Sequence, residues 1–272
     1  MKKIILPFCF LFSFSFVFLS QNLHVSISGN DENSGVNPTL ALKTIKKAIE
    51  LSSEGDTIFI SAGVYTESHL PLNKNLTLIG ENAATTIVQA SETKPNGIDF
   101  VKDKNVFYLI NSNASESAKL KQLTIQHGFN SDPGGGIYLG VNQTLTLESC
   151  NIIDNYSQFG GGGIAHYGNL ILKGCYLSGN TAKTNGGSII SSGGTLHVEN
   201  SVIYSNVAYG TTDKNASGGG ACYIGNSKVK FYNNTISYNT CATDGNQNFG
   251  IRIEGNTNTE FEIYKNIFFN SI

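Results

Sequence analysis

The residues that could do chemistry in this chain are few and far apart. Beyond residue 90 the aspartates are Asp99, Asp103, Asp132, Asp154, Asp213 and Asp244, and Arg252 is the sole arginine. Metal-assisted proton abstraction from an acidic sugar needs several carboxylates around Ca²⁺ and an Arg or Lys base. Glycoside hydrolysis needs two carboxylates facing each other across the scissile bond. Neither grouping is apparent, because the aspartates fall at different places in the pattern described below. His24, His69, His127, His166 and His197 are likewise scattered and lack the spacing of a zinc site. No catalytic residue and no metal ligand is assigned. Ca²⁺ would enter only with lyase chemistry, and no other cofactor is implied.

Binding chemistry is better represented. Tyr232 and Tyr264 share one outward position of the pattern, and Tyr204 and Arg252 are further candidates for contact with a ligand. An aromatic face on a strand can stack on a sugar ring, although Tyr is also common on any sheet surface. Arg252 stands between Ile251 and Ile253, so alternation turns it outward.

These residues are carried by an internal repeat. Five copies of one phrase occur: "LTLESCNIIDN" (145–155), "LILKGCYLSGN" (170–180), "LHVENSVIYSN" (196–206), "VKFYNNTISYN" (229–239) and "FEIYKNIFFNS" (261–271). A weaker copy, "AKLKQLTIQHG" (118–128), precedes them, and "TTDKNAS" (211–217) and "TDGNQN" (243–248) lengthen two of the steps. A second phrase returns at the same period: "GGGIYLG", "GGGIAHY", "GGSIISS", "GGGACYI" and "NFGIRIE". Each unit thus holds two or three short alternating segments, which are strands.

No unit has enough apolar surface to fold alone, so the units must stack. Three inward columns follow. Leu145, Leu170, Leu196, Val229 and Phe261 form one, and Leu147, Leu172, Val198, Phe231 and Ile263 the next. Ile137, Ile164, Ile189, Ala221 and Ile251 form the third. The fold class is all-β, a single-stranded right-handed parallel β-helix with three faces per coil. A leucine-rich repeat shares the period, but its second half carries leucines where this chain is glycine-rich and alternating.

Glycine at the corners supplies backbone angles closed to other residues. Asn155, Asn180, Asn206 and Asn239 recur at one bend, where Asn tolerates the left-handed conformation and stacked amides can bond from coil to coil. Cys150 and Cys175 share an inward column close enough to bridge, and stacked thiols serving as small hydrophobes fit equally well. Cys222 lies between Ala221 and Tyr223 and is expected to face outward. Glu148, Lys173 and Glu199 form an outward column of alternating charge.

Lys2 and Lys3 followed by apolar Ile4 to Leu19 read as a secretory signal peptide spanning residues 1–20, which removes Cys9 and leaves four cysteines. Loss of the two lysines takes the net charge from −2 to −4, which excludes a basic nucleic-acid footprint. No second apolar stretch is long enough to span a membrane, so residues 21–272 are one exported β-helix domain with no integral helix. "LKTIKKAIELSSEGD" predicts a capping helix at about 42–52, with Leu42, Ile45 and Ile49 on its buried face. The chain stops in mid-phrase at Ser271 and Ile272 without such a cap, which reads as truncation.

The run "LKTIKKAIELSSEGDTIFISAGVYTE" followed by "LTLIGEN" resembles the opening of pectin-lyase-like β-helix proteins. The later Gly-Gly-x-Ile and x-x-Asn repeats resemble polymorphic outer-membrane protein repeats of bacterial surface proteins. The resemblance implies an extracellular or outer-membrane-surface protein, with polysaccharide or surface proteins as partners. Patterns that polygalacturonases carry, Asn-Thr-Asp, Asp-Asp and Gly-His-Gly, are missing here. The sequence therefore favours a non-catalytic, adhesin-like glycan- or protein-binding role. The alternatives are a pectate-lyase-type enzyme, favoured by an acidic cluster at the inserts, and a structural surface spacer.

Overall fold

The structure is a computed structural model. It describes residues 20–96, 104–110, 116–210, 218–242, 250–254 and 260–269. The apolar opening segment and the inserts 211–217 and 243–248 lie outside the described residues.

One coil shows how the chain works. It runs through strands Asn169–Lys173, Tyr176–Ser178, Thr181–Ala182 and Ile189–Ser191, which we assign to sheets 1 to 4 in that order. Each strand pairs in parallel with its counterpart one coil before and one coil after. Among the described residues, sheets 1 to 4 hold nine, eight, five and seven strands. The three expected faces are sheets 1, 2 and 4. Sheet 3, built of two-residue strands, is a corner flattened enough to pair.

The two leucine columns of sheet 1 are in register: Leu145 with Leu170, Leu196, Val229 and Phe261, and Leu147 with Leu172, Val198, Phe231 and Ile263. From Leu145 to Phe231 they are almost wholly buried. Each such side chain contributes roughly 1.5–3 kcal/mol by leaving water. The third column needs a correction. Ile137, Ile164 and Ile189 are continued by Cys222, not Ala221, and then by Ile251. Gly218 holds the place of Gly160 and Asn185, and Ala221 falls where Ser188 and Gly163 stand in earlier coils. Cys222 is accordingly fully buried rather than outward.

The glycine run turns the chain from sheet 3 into sheet 4. Gly161 has φ +67, the left-handed region that costs other residues most. Gly162 answers a different need: a Cβ there would lie 2.3 Å from the Thr181 carbonyl oxygen.

The asparagine bend also differs from expectation in one respect. Left-handed backbone belongs to the residues just before the asparagines, Asp154, Gly179, Ser205 and Tyr238. That kink turns Asn155, Asn180, Asn206 and Asn239 into the interior, where all four are buried. Asn180 Nδ2 donates to Asn206 Oδ1 of the next coil at 3.0 Å and to Ile152 O of the previous coil at 2.8 Å. Its Oδ1 accepts from Asn155 N and Nδ2 at 3.1 and 3.0 Å. Asn206 repeats the arrangement onto Asn239.

Cys150 and Cys175 are free thiols. Their pile continues through Ser201, Asn234 and Asn266, the same kind of corner built from mixed residues. Cys175 Sγ donates to Leu147 O at 3.3 Å. Burial pushes the Cys175 thiol up to about 11, so it is neutral at ordinary pH.

The cap is shorter than its apolar pattern. The helix is Ile45–Leu51, with Thr44 Oγ1 accepting from Lys47 N, and it buries Ile45, Ala48 and Ile49. Leu42 is buried too, but as a bridge partner of Val25 outside the helix. Glu67 accepts from the N–H groups of Ile45 and Lys46 at the helix start. Sheet 1 begins one strand earlier than the repeat suggests, with Asn22–Val25 paired to Thr57–Ile60. Among the described residues, no helix is long and apolar enough to cross a membrane.

Candidate functional site

Inward positions of the coils are spent on packing, so recognition must use outward ones. On sheet 1 two outward piles lie side by side. One runs Lys119, Thr146, Ile171, His197, Lys230, Glu262; the other runs Lys121, Glu148, Lys173, Glu199, Tyr232, Tyr264. With Asn169 and Thr195 from the next outward position, they bound a shallow groove of about 560 Å³ lined also by Thr144, Ile171, His197, Lys230 and Tyr232.

The aromatic part of this face is ordered by stacking. The Tyr232 and Tyr264 rings stack with centroids 5.5 Å apart and an interplanar angle of 10°. His197 meets the Tyr232 ring edge-on at 5.7 Å. The Tyr232 hydroxyl donates to the Glu262 carboxylate, which also receives Lys230 Nζ at 2.9 Å. That hydroxyl, and then Lys230, hold the Glu262 carboxyl below the usual carboxylate range. The same hydrogen bond to a carboxylate raises the Tyr232 phenol.

The charged part is balanced. Lys121 lies 2.6 Å from Glu148 and holds its carboxyl below the usual range, and Lys173 lies 3.0 Å from Glu199. His197 is 3.2 Å from the other oxygen of Glu199. Lys228 pairs with Glu260 at 3.0 Å. Each acid on this face therefore has a cationic neighbour. Among the described residues, no group of three or more His, Cys, Asp or Glu side chains is placed to hold a metal ion. The acidic cluster that the inserts 211–217 and 243–248 could form falls outside the described residues.

Of the four binding candidates, the fold unites two. Tyr232 and Tyr264 share sheet 1. Tyr204 is on sheet 2, edge-on to Tyr238 at 5.4 Å. Arg252 is on sheet 4, with its side chain 16% exposed and its guanidinium 2.6 Å from Glu254. The Tyr223 hydroxyl donates to the same Glu254 carboxylate. Arg252 thus faces outward but is occupied within its own sheet. Sequence reasoning missed His197, Lys230, Thr195 and Asn169 as neighbours of the tyrosines. The register that aligned Glu148 with Lys173 and Glu199 would have found them, two positions earlier for His197 and Lys230 and four for Thr195 and Asn169.

This geometry meets a family description at the level of sequence: residues 108–272, well over half of the chain, match the family described as right-handed beta helix region. The chain belongs to the right-handed β-helix family. Several solved β-helix structures are similar in form. A rhamnogalacturonan lyase is 12% identical, with 89% of this chain and 84% of that one covered and a TM-score of 0.47. The pectin methylesterase from carrot is 14% identical, with 92% and 83% covered and a TM-score of 0.44. A pectin methylesterase variant in complex with a hexasaccharide is 16% identical, with 84% and 74% covered and a TM-score of 0.43. At such scores the likeness carries no argument about what this β-helix does. None of the curated proteins matches the chain.

Proposed function

We propose that this β-helix is an exported, non-catalytic protein that binds an uncharged, hydroxyl-rich polysaccharide along the outer face of sheet 1. The observation that carries the reading is the Tyr232–Tyr264 stack beside a groove of hydroxyl, amide and imidazole groups. Tyr264 offers a ring that is 58% exposed, and pyranose rings stack on such faces. Thr144, Asn169 and Thr195 supply donors and acceptors one coil apart, a repeat suited to a repeating ligand. The near-neutral charge of the face argues for a neutral chain, since a polyanion would have to displace glutamates already paired with lysines. Export rests on the Lys2–Lys3 and Ile4–Leu19 pattern, and places the protein where such polymers occur.

Affinity electrophoresis of the wild type and of Tyr264→Ala in gels containing neutral galactan, xylan or glucan, and separately polygalacturonate, tests this. Retardation by a neutral polymer, at least tenfold weaker for Tyr264→Ala, is expected. Retardation only by polygalacturonate, or release of unsaturated product from it with Ca²⁺, would overturn the proposal in favour of lyase-type chemistry.

A further inference from the structure

The outer face of sheet 1 carries a second recess, at the end opposite Tyr264. It has a volume of about 340 Å³ and is lined by His24, Phe59, Ser61, Ile79 and Glu81, among others. Strand alternation puts these side chains outside. Ile58 and Ile60 are buried in the core, so Phe59 between them faces outward and is 36% exposed. His24 holds the same position one strand before it, and Ile79 one strand after.

The ring here is held by stacking, as it is at Tyr264. The His24 and Phe59 rings lie with centroids 5.4 Å apart and an interplanar angle of 19°. Ile79 continues this apolar strip, and polar groups stand at its rim. Glu81 Oε2 accepts from Ala62 N at 3.0 Å, which steadies the carboxylate and leaves Oε1 to accept a hydroxyl. Between this strip and the tyrosines the same pile reads Lys121, Glu148, Lys173 and Glu199, ions already paired with one another. One row of side chains thus has an aromatic anchor at each end and a balanced charged span between them. Phe59 is on the second strand of sheet 1 and Tyr264 on the ninth. The seven steps between them, at about 4.8 Å each, separate the anchors by roughly 34 Å.

We infer that this recess is a second subsite for the same uncharged polymer, and that one chain bridges both ends of the face; the inference rests on the reading of sheet 1 proposed above. A pyranose lays its apolar C–H face on Phe59 and Ile79, and its hydroxyls reach Glu81 and Ser61. The recess lies at the small end of ligand pockets and is shallow, so it binds weakly by itself. A chain that reaches from one anchor to the other makes the second contact intramolecular. Such linkage can raise affinity by about 10²-fold or more without any new kind of contact. The face therefore selects its ligand by length, and a fragment shorter than the span uses one anchor only.

Calorimetric titration of the full chain with galacto- and xylo-oligosaccharides graded from trimer to decamer tests the assignment. Affinity is expected to step up at least tenfold once the oligomer is long enough to span both anchors. Phe59→Leu keeps apolar bulk but removes the flat ring, and should return the decamer to the affinity of the trimer. His24→Gln, a change outside the core, should weaken the decamer severalfold and guards against a folding defect in the first variant. A trimer that binds through Tyr264 with no step at greater length, or a step indifferent to Phe59→Leu and His24→Gln, would overturn this inference and leave the sheet 1 reading standing. Absence of binding by every neutral oligomer would overturn both.

Discussion

Two piles of side chains run through the same coils and obey opposite rules. The buried pile at the bend after sheet 2 uses asparagine in four successive coils, Asn155, Asn180, Asn206 and Asn239. An outward pile on sheet 1 reads His24, Phe59, Ile79, Lys121, Glu148, Lys173, Glu199, Tyr232 and Tyr264, changing character from coil to coil. The periodicity is shared, so the difference must come from surroundings. In the dry interior an amide must pair all its donors and acceptors, and the next coil offers the matching partner only if it repeats the residue. Outside, water satisfies whatever side chain stands there. Interior piles therefore hold the stack together, and exterior piles are open to variation and recognition.

The sharpest way to break this contrast is Asn180→Ala. It strips Asn155 N–H of its acceptor, removes the side-chain donor to Ile152 C=O and leaves Asn206 Oδ1 short of a donor, all in the buried interior. Each unpaired group costs about 1–3 kcal/mol, so a loss of roughly 3–5 kcal/mol is expected in chemical denaturation. Because each coil contacts only its neighbours, the defect should divide the stack, and protection from hydrogen exchange should fall first on both sides of it. A loss below about 1 kcal/mol would mean that the ladder is ornamental.

A second interior pile carries a proton switch. His166 is aligned with Leu139, Ser191 and Ile224 and is fully buried. Nδ1 donates to Gly168 O at 3.0 Å, and Nε2 is buried without a partner among the described residues. Burial pushes its pKa down from 6.5 to about 4. Below pH 6.5 the unfolded chain takes up a proton that the folded one refuses. The stability due to neutral His166 is thus complete above pH 6.5 and is lost as pH falls toward 4. The loss amounts to about 3 kcal/mol. His166→Leu, which matches its neighbours in the pile, should flatten that part of the stability–pH curve. An unchanged slope would place the acid sensitivity elsewhere.

The mixed corner refines the rule and calls for a smaller effect. Cys150, Cys175, Ser201, Asn234 and Asn266 occupy one pile, and the N–H of each of the last three coil steps is accepted by Ser201 Oγ, Asn234 Oδ1 and Asn266 Oδ1 in turn. The position asks for a small group with a donor and an acceptor, not for asparagine as such. Cys175→Ser should then cost less than about 1 kcal/mol, since the hydroxyl can take over the bond to Leu147 O. A cost near that of Asn180→Ala would show that the thiols are chosen for their apolar volume.

How far these piles were legible follows from the same contrast. The leucine columns, the strands and the stacking direction could be read because inward residues are held to one chemistry and so repeat visibly. The misreadings came where one residue type stands in for another at a corner. Ala221 takes the place of Gly163 and Ser188, so the third column passes through Cys222, and the left-handed turn sits one residue ahead of each asparagine. The sequence showed that Tyr232 and Tyr264 align, but grouped them with Tyr204 and Arg252, which lie on other sheets. The place of Lys104 was hidden because an antiparallel bridge, outside the repeat, brings it to Phe129.

The smallest expected effect probes the outer pile directly. Lys173 and Glu199 approach to 3.0 Å, with their side chains 46% and 27% exposed. In solvent of high dielectric such a pair gains little over hydration and is further screened by salt. Lys173→Gln should therefore change stability by no more than about 0.5 kcal/mol in low salt, and by nothing measurable in 1 M NaCl. The distinction matters because Lys173 directly follows the interior Leu172 and lies in one pile with the tyrosines. If its removal cost as much as an interior asparagine, the outer charges would be part of what holds the coils together, and the surface would not be free for binding.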